Sequence, residues 1–263
     1  MGCRLACFLL DMSNELLFGI EVLVTLSLVL LANRLGQIWL VALMAVMLVL
    51  MNIFVLKQMD LFGMQLTGGN VLYAATFLAS DLLAEHWGKR EAYRAVRVGF
   101  GASVCLVILG LLVIQFQPNT LDSSGGGIPP DEALKTLLTP SWRIVGASMF
   151  TYLVVQHLDV WIFTSVRRLT GERLLWLRTS ASTIVSQTMD SFLFHPLAFA
   201  GLPGFTSTTI LNMILFNCIL KLMVALIENP YIYLSKLRWL RPRDTAAWLE
   251  KNRIVEGNGD GTE

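Results

Sequence analysis

The run "RTSASTIVSQTMDSFLF", residues 178–194, sets Arg, Gln, Asp and repeated Ser and Thr inside a chain of 263 residues that is 55% hydrophobic and only 15% charged. At about 100° per residue, Thr183, Ser186, Gln187 and Asp190 fall within roughly a third of a helix circumference, with Val185, Met189 and Phe192 opposite. The run therefore reads as an amphipathic helix. In so apolar a chain, its polar face is expected to turn inward.

Outward from this run, apolar stretches repeatedly approach the roughly 20 residues that cross a bilayer. Helix-like apolar segments cover 16–33, 37–57, 69–87, 95–116, 142–166, 179–200 and 207–235. The expected fold is all-α, a polytopic transmembrane bundle. The tight join between the first two segments leaves six or seven spans. Residues 1–15 read as an N-terminal tail, 16–235 as the bundle, and 236–263 as a cytoplasmic C-terminal tail. "MGCRLACFLL" lacks a clean cleavage site and has Ala6 where a myristoylation pattern needs Ser or Thr. Residues 117–141, rich in Gly, Pro and Ser, read as a loop with room for a short surface helix.

The formal charge of +1 carries little information, but its distribution carries much. Arg34 follows the first segment, the Lys89–Arg97 cluster the third, Arg167 to Arg178 the fifth, and Lys236 to Arg253 the seventh. By the positive-inside bias this alternation sets the N-terminus outside and the C-terminus in the cytoplasm. "GKREAYRAVR" and "RWLRPR" are read as topology signals, and Trp87 and Trp142 as interfacial anchors. Cys105 and Cys218 lie in apolar runs without metal spacing and read as packing residues.

Three further segments carry polar stripes at helical spacing. The third aligns Asn70, Ala74, Phe77, Asp81 and Glu85; the fifth Tyr152, Gln156, Asp159 and Phe163; the seventh Asn217, Lys221, Val224 and Glu228. Ser and Thr alone would serve as hydrogen-bond glue between helices. Ionisable groups are different, because a charge at the bilayer centre costs at least about 2.5 kcal/mol unless paired or hydrated. Asp81, Asp190 and Lys221 look deep, and Glu85, Asp159 and Glu228 nearer the cytoplasmic end. The stripes point to a solute site between the third, fifth, sixth and seventh spans. His157 and His195 stand alone and read as interfacial residues rather than ligands.

"NIFVLKQ" (52–58), "GGNVLYAATFLASDLLAEHWGKREAYRAV" (68–96), "QHLDVWIF" (156–163) and "LRTSASTIVSQTMDSFLF" (177–194) resemble the queuosine precursor transporter family of bacterial inner-membrane proteins. The resemblance covers most of the chain from about residue 37 and implies import of a 7-deazaguanine derivative for tRNA modification. The candidates are 7-cyano-7-deazaguanine, 7-aminomethyl-7-deazaguanine and queuine. By fold-level analogy the family is likened to the substrate-binding components of vitamin transporters. The matched positions are Asn52, Lys57, Gln58, Asn70, Asp81, Glu85, Asp159, Arg178, Ser182, Thr183, Gln187, Asp190 and Lys221.

A guanine-like base presents adjacent N–H and amine donors beside a carbonyl acceptor. A carboxylate, Asp190 or Glu85, can accept the donors, and an amide such as Gln187 or Asn70 can donate to the carbonyl. Phe77, Tyr152 or Phe163 can stack on the ring. Lys221 is expected to neutralise a buried acid when the site is empty, and a spare carboxylate can carry a coupling proton; simple facilitated import is the alternative. Other readings are import of another vitamin-like planar solute, or an intramembrane enzyme. No GxSxG motif and no paired aspartate motif favours the latter. The partners expected are the small-molecule substrate and the lipid bilayer. Nothing in the sequence calls for a cofactor, a metal, a nucleotide-hydrolysing partner or a nucleic-acid surface.

Overall fold

The computed structural model describes residues 13–61, 64–117, 130–138, 142–171, 174–202 and 206–244. Among them lie eight helices: α1 (Asn14–Leu35), α2 (Gln37–Phe54), α3 (Asn70–His86), α4 (Lys89–Val113), α5 (Pro130–Leu138), α6 (Trp142–Thr170), α7 (Leu175–Phe199) and α8 (Ser207–Leu234). The expected all-α polytopic bundle is the observed fold. Each of the seven apolar segments corresponds to one long helix. The surface helix allowed for in the 117–141 break is α5; most of the rest of that break lies outside the described residues.

Five helices, α1, α2, α4, α6 and α8, are long and apolar enough to cross a bilayer. The other two differ for a physical reason. α3 has only 17 residues, about 26 Å of helix, and thirteen of them are buried against its neighbours. It packs on α1, α2, α4, α6 and α8, and Ala74, Ala75, Ala79, Ser80 and Ala84 let those backbones approach. α7 turns Ile184, Val185, Met189 and Phe192 outward while burying Thr183, Ser186, Gln187 and Asp190. Its mean hydropathy is lowered by a face that never meets lipid.

The interior is polar on the side of α6 and α7 and apolar on the side of α1 and α2, where Leu26, Val29, Leu40, Met44 and Leu48 pack, and the outer wall is apolar. Leu23, Leu31, Leu109, Leu112, Leu226 and Phe192 are exposed, whereas Asp81, Gln156, Asp159, Arg178 and Ser186 are completely buried. Contacts along the bundle fix helix directions. Thr76 meets Gln156 and Glu85 meets Arg167, so α3 and α6 run the same way. Tyr73 lies beneath Lys221 and Glu85 meets Lys236, so α8 runs with them. α7 is opposed, since Asp190 meets Tyr73 and Arg178 meets Glu85.

α1 and α2 are separated by Gly36 alone, whose φ of 127° lies where side-chain-bearing residues are strained. A Cβ there would also sit 2.6 Å from Asp244 Oδ2. That carboxylate accepts the Gln37 N–H at 2.9 Å, capping α2, and Asn33 Nδ2 donates to the Leu240 carbonyl at 3.1 Å. The start of the expected C-terminal tail, residues 236–244, is therefore folded back onto the α1–α2 junction. Residues 1–12 and 245–263 lie outside the described residues.

Two short antiparallel strands, β1 (Gln58–Leu61) and β2 (Met64–Thr67), join α2 to α3. They were not expected. Trp87, read as an interfacial anchor, is instead buried at 1% exposure, because it closes α3 immediately before the Gly88 turn into α4. The Trp142 side chain lies outside the described residues. Cys105 is on the outer wall and Cys218 half-buried, so Cys105 does not serve the packing role expected of it.

Candidate functional site

The polar core lies between α3, α6, α7 and α8, and side-chain contacts divide it into three levels. The i, i+4 rise of a helix puts Tyr73, Phe77, Asp81 and Glu85 on one face of α3. Arg178, Ser182, Ser186 and Asp190 form the matching face of the opposed α7.

At the first level, Asp190 accepts from the Tyr73 hydroxyl at 2.5 Å through Oδ1 and pairs through Oδ2 with Lys221. The Lys221 ammonium lies 5.1 Å from the Tyr73 ring centroid, a cation–π arrangement that adds to the ion pair. Phe77 meets Tyr73 edge to face at 5.2 Å. Behind them, His195 contacts the Ser191 carbonyl at 2.9 Å and Asn217 at 3.1 Å. The expectation that Lys221 faces a buried acid finds its partner in Asp190.

The middle level holds Asp81, Asp159 and Glu228, all buried. Ser186 Oγ donates to Asp159 Oδ1 at 2.8 Å. The Asp81 carboxyl faces that of Asp159 and meets no N–H or hydroxyl donor among the described residues. Two carboxyls in contact form a hydrogen bond only when a proton lies between them. Gln156 Nε2 donates to Thr76 Oγ1 at 2.8 Å, leaving its Oε1 without a donor. Asp159 and Glu228 thus share the level of Asp81, between the Asp190–Lys221 pair and the Glu85 cluster.

At the third level, Glu85 gathers three cations. Arg178 Nη2 lies 2.5 Å from Oε2, Lys236 Nζ 2.8 Å from Oε1, and Arg167 Nη1 3.6 Å from Oε2. Arg178 is wholly buried, with its guanidinium carbon 5.4 Å from the Phe163 ring centroid and Nη1 donating to the Gly171 carbonyl at 3.1 Å. Glu85 is thereby committed to an ion-pair cluster.

The site residues expected from the sequence divide accordingly. Asp190 and Lys221 are paired at one end, Glu85 is paired at the other, and Asp81, Asp159, Gln156, Thr183 and Gln187 are buried between or beside them. Asn70 is half-buried at the start of α3. Tyr152 points toward α4, its hydroxyl donating to the Val96 carbonyl at 3.3 Å, and Phe163 is covered by Arg178. Among the aromatic candidates, Phe77 lies beside the Asp190 level. Sequence reading did not single out Tyr73. Its position four residues before Phe77 and eight before Asp81 was the signal available.

One property distinguishes this core from ordinary helix–helix glue. Buried acceptors outnumber the donors that reach them: both oxygens of Asp81, Gln156 Oε1, Gln187 Oε1 and Glu228 Oε1 meet no donor from a side chain or backbone N–H in the described residues, apart from the Asp81–Asp159 contact itself, whereas Asp159 has the Ser186 and Ser182 hydroxyls beside it and the Thr179 and Thr183 hydroxyls are the open donors nearby. Each such orphan costs roughly 1 to 3 kcal/mol. A multi-pass helical membrane protein with a buried, acceptor-rich centre has the groups that a hydrogen-bonding polar solute would need.

Comparison with known proteins gives the same class. Residues 67–235, which run from the end of β2 through α8, match the family described as "Putative vitamin uptake transporter". A protein of Bacillus subtilis (strain 168) named "Probable queuosine precursor transporter" is 36% identical over 186 residues, covering 70% of this chain and 78% of that protein. One of Haemophilus influenzae (strain ATCC 51907 / DSM 11121 / KW20 / Rd) with the same name is 27% identical over 138 residues, covering 52% and 54% respectively. No solved structure gives a significant match. The chain belongs to the queuosine precursor transporter family.

Proposed function

We propose that this protein is a transporter, not an enzyme, that imports a queuosine precursor across the bacterial inner membrane. The substrate is a 7-deazaguanine base: 7-cyano-7-deazaguanine, 7-aminomethyl-7-deazaguanine or queuine. The names of the two relatives support the solute class. The observation within the chain that carries the reading is the surplus of buried acceptors. A guanine-like base brings N–H and amine donors on one edge, and buried carboxylates and amide oxygens are the groups that complete them.

On this reading the base lies at the Asp81–Asp159 level, with Gln156, Gln187 and Thr183 on its polar edge and Phe77 against its face. Asp190 joins the site when Lys221 moves aside, and Glu85 anchors the far end without touching substrate. A proton taken up by the Asp81–Asp159 pair when the base leaves, and given up when the base's own donors arrive, would be a route for proton coupling. The ion-pair cluster at Glu85 and the C-terminus lie on the cytoplasmic side, where the Lys and Arg residues concentrate.

The test uses a bacterial host unable to make the base but retaining the incorporating enzyme, supplied separately with each precursor at low concentration. Expression of this protein restores queuosine in tRNA with at least one precursor. No restoration with any of the three, despite verified membrane expression, transfers the reading to another vitamin-like planar solute.

A further inference from the structure

At the end of the bundle where Glu85 gathers its cations, a surface groove of about 410 Å³ is lined by Arg34, Arg238, Trp239, Arg241 and Arg243. We propose that this groove binds the phosphate headgroup of an anionic membrane lipid.

Four guanidinium groups from two distant parts of the chain surround one space. The arrangement is held by bonds to backbone carbonyls: Asn33 Nδ2 to the Leu240 carbonyl at 3.1 Å and Arg241 Nε, a charged donor, to the Lys236 carbonyl at 2.9 Å. Neither nearby acid is paired with these arginines, although Asp244 Oδ1, beside Arg243 in sequence, meets no donor among the described residues. Asp244 caps α2 through the Gln37 N–H, and Glu91 accepts from the Gln37 side chain and faces Arg94 at 3.6 Å. No carboxylate among the described residues lies within ion-pair distance of the four arginines. Like charges held together without a counter-charge repel, and a bound anion removes that cost.

Arginine in a concave cluster suits phosphate oxygens, which its planar fork meets in pairs. Two features select a lipid over a free anion. Trp239, 79% exposed, lines the groove, and an exposed indole beside basic residues is the kind of group that anchors at a membrane–water boundary. Leu35, Ile38, Trp39 and Leu237, beside Arg34 and Arg238 in sequence, are exposed apolar side chains able to receive acyl chains. A topology signal requires positive charge on one side of the membrane. It requires neither a shared cavity nor an apolar wall beside it.

The test compares the full chain in neutral detergent with Arg238→Gln/Arg243→Gln and with Lys89→Gln/Arg90→Gln, which removes two exposed charges outside the groove. Binding of phosphatidylglycerol, phosphatidylcholine and inorganic phosphate is read by native mass spectrometry and by thermal shift, and unliganded melting shows that each variant is folded. The expected result is selective retention of phosphatidylglycerol, at least about tenfold weaker in the Arg238/Arg243 variant and unchanged in the Lys89/Arg90 variant. Equal binding of phosphatidylcholine, equal loss in both variants, or full competition by millimolar inorganic phosphate each overturns the proposal. Should the Arg238/Arg243 variant fail to fold, Arg34→Gln alone gives the same comparison.

Discussion

Arg178 Nη2 lies 2.5 Å from Glu85 Oε2, and this contact is in register with the Tyr73–Asp190 hydrogen bond, twelve residues away along both α3 and α7. Twelve residues correspond to about 18 Å of helix. The two contacts pin an antiparallel seam at both ends, and the Asp81 level lies between them with its acceptors open. The seam holds together two helices that are otherwise poor membrane spans and keeps the proposed solute level between its two pins.

Breaking the far pin should cost stability rather than specificity. Glu85→Gln leaves Arg178 buried without its counter-charge and is expected to destabilise the protein by about 3 to 5 kcal/mol. Thermal unfolding in detergent reads this directly. A parallel fall for Glu85→Gln/Arg178→Met would contradict it, since the double variant removes the orphaned charge as well.

At the near pin, Asp190→Asn deprives Lys221 of its partner, so import and membrane level should both fall. In Asp190→Asn/Lys221→Gln, with both charges removed, the level recovers while import stays absent. Quantitative blotting beside an uptake assay separates the two effects. Import by the double variant removes Asp190 from the site.

Asp81→Asn should be tolerated by the fold and lethal to transport. An asparagine amide donates to Asp159 without needing a shared proton, so unfolding temperature is maintained or raised. The acceptor offered to the substrate is meanwhile halved. Uptake near the wild-type rate would exclude Asp81 from substrate recognition.

Two glycine substitutions test the packing that seats α3. A Cβ on Gly69 would lie 2.8 Å from the Met51 carbonyl oxygen, a backbone atom with no freedom to move aside. Gly69→Ala is therefore expected to destabilise by roughly 1 to 3 kcal/mol. A Cβ on Gly101 of α4 meets nothing within 4 Å, so Gly101→Ala should be neutral or stabilising by roughly 0.5 to 1 kcal/mol. Equal melting temperatures for the two variants would contradict the close α2–α3 junction.

Helix number and the polar faces were legible because hydropathy and i, i+4 periodicity are local properties. Asp190, Gln187, Ser186 and Thr183 are buried as the opening run implies. Partner choice was less legible because it depends on contacts far apart in sequence. Glu85 looked like a free reader of the base, yet one of its cations, Lys236, arrives 151 residues later and past the end of α8. Tyr73 reaches Asp190 across 117 residues. The β1–β2 hairpin is hard to read because, although Gln58–Leu61 and Met64–Thr67 each alternate polar and apolar residues, the runs are only four residues long and no Asn-Gly or Asp-Gly pair joins them. Trp87 carried the composition of an anchor, and only its packing shows it to be part of the core.

On the proposed function, the chain itself moves a 7-deazaguanine base through the bilayer. The most direct measurement is uptake of radiolabelled precursor into liposomes containing the purified protein, beside protein-free liposomes and liposomes bearing Asp81→Asn. Saturable uptake is expected with at least one of the three precursors, competed by unlabelled base and absent from both controls. Uptake no faster than in protein-free liposomes for all three, by protein shown to be folded and inserted, would contradict it.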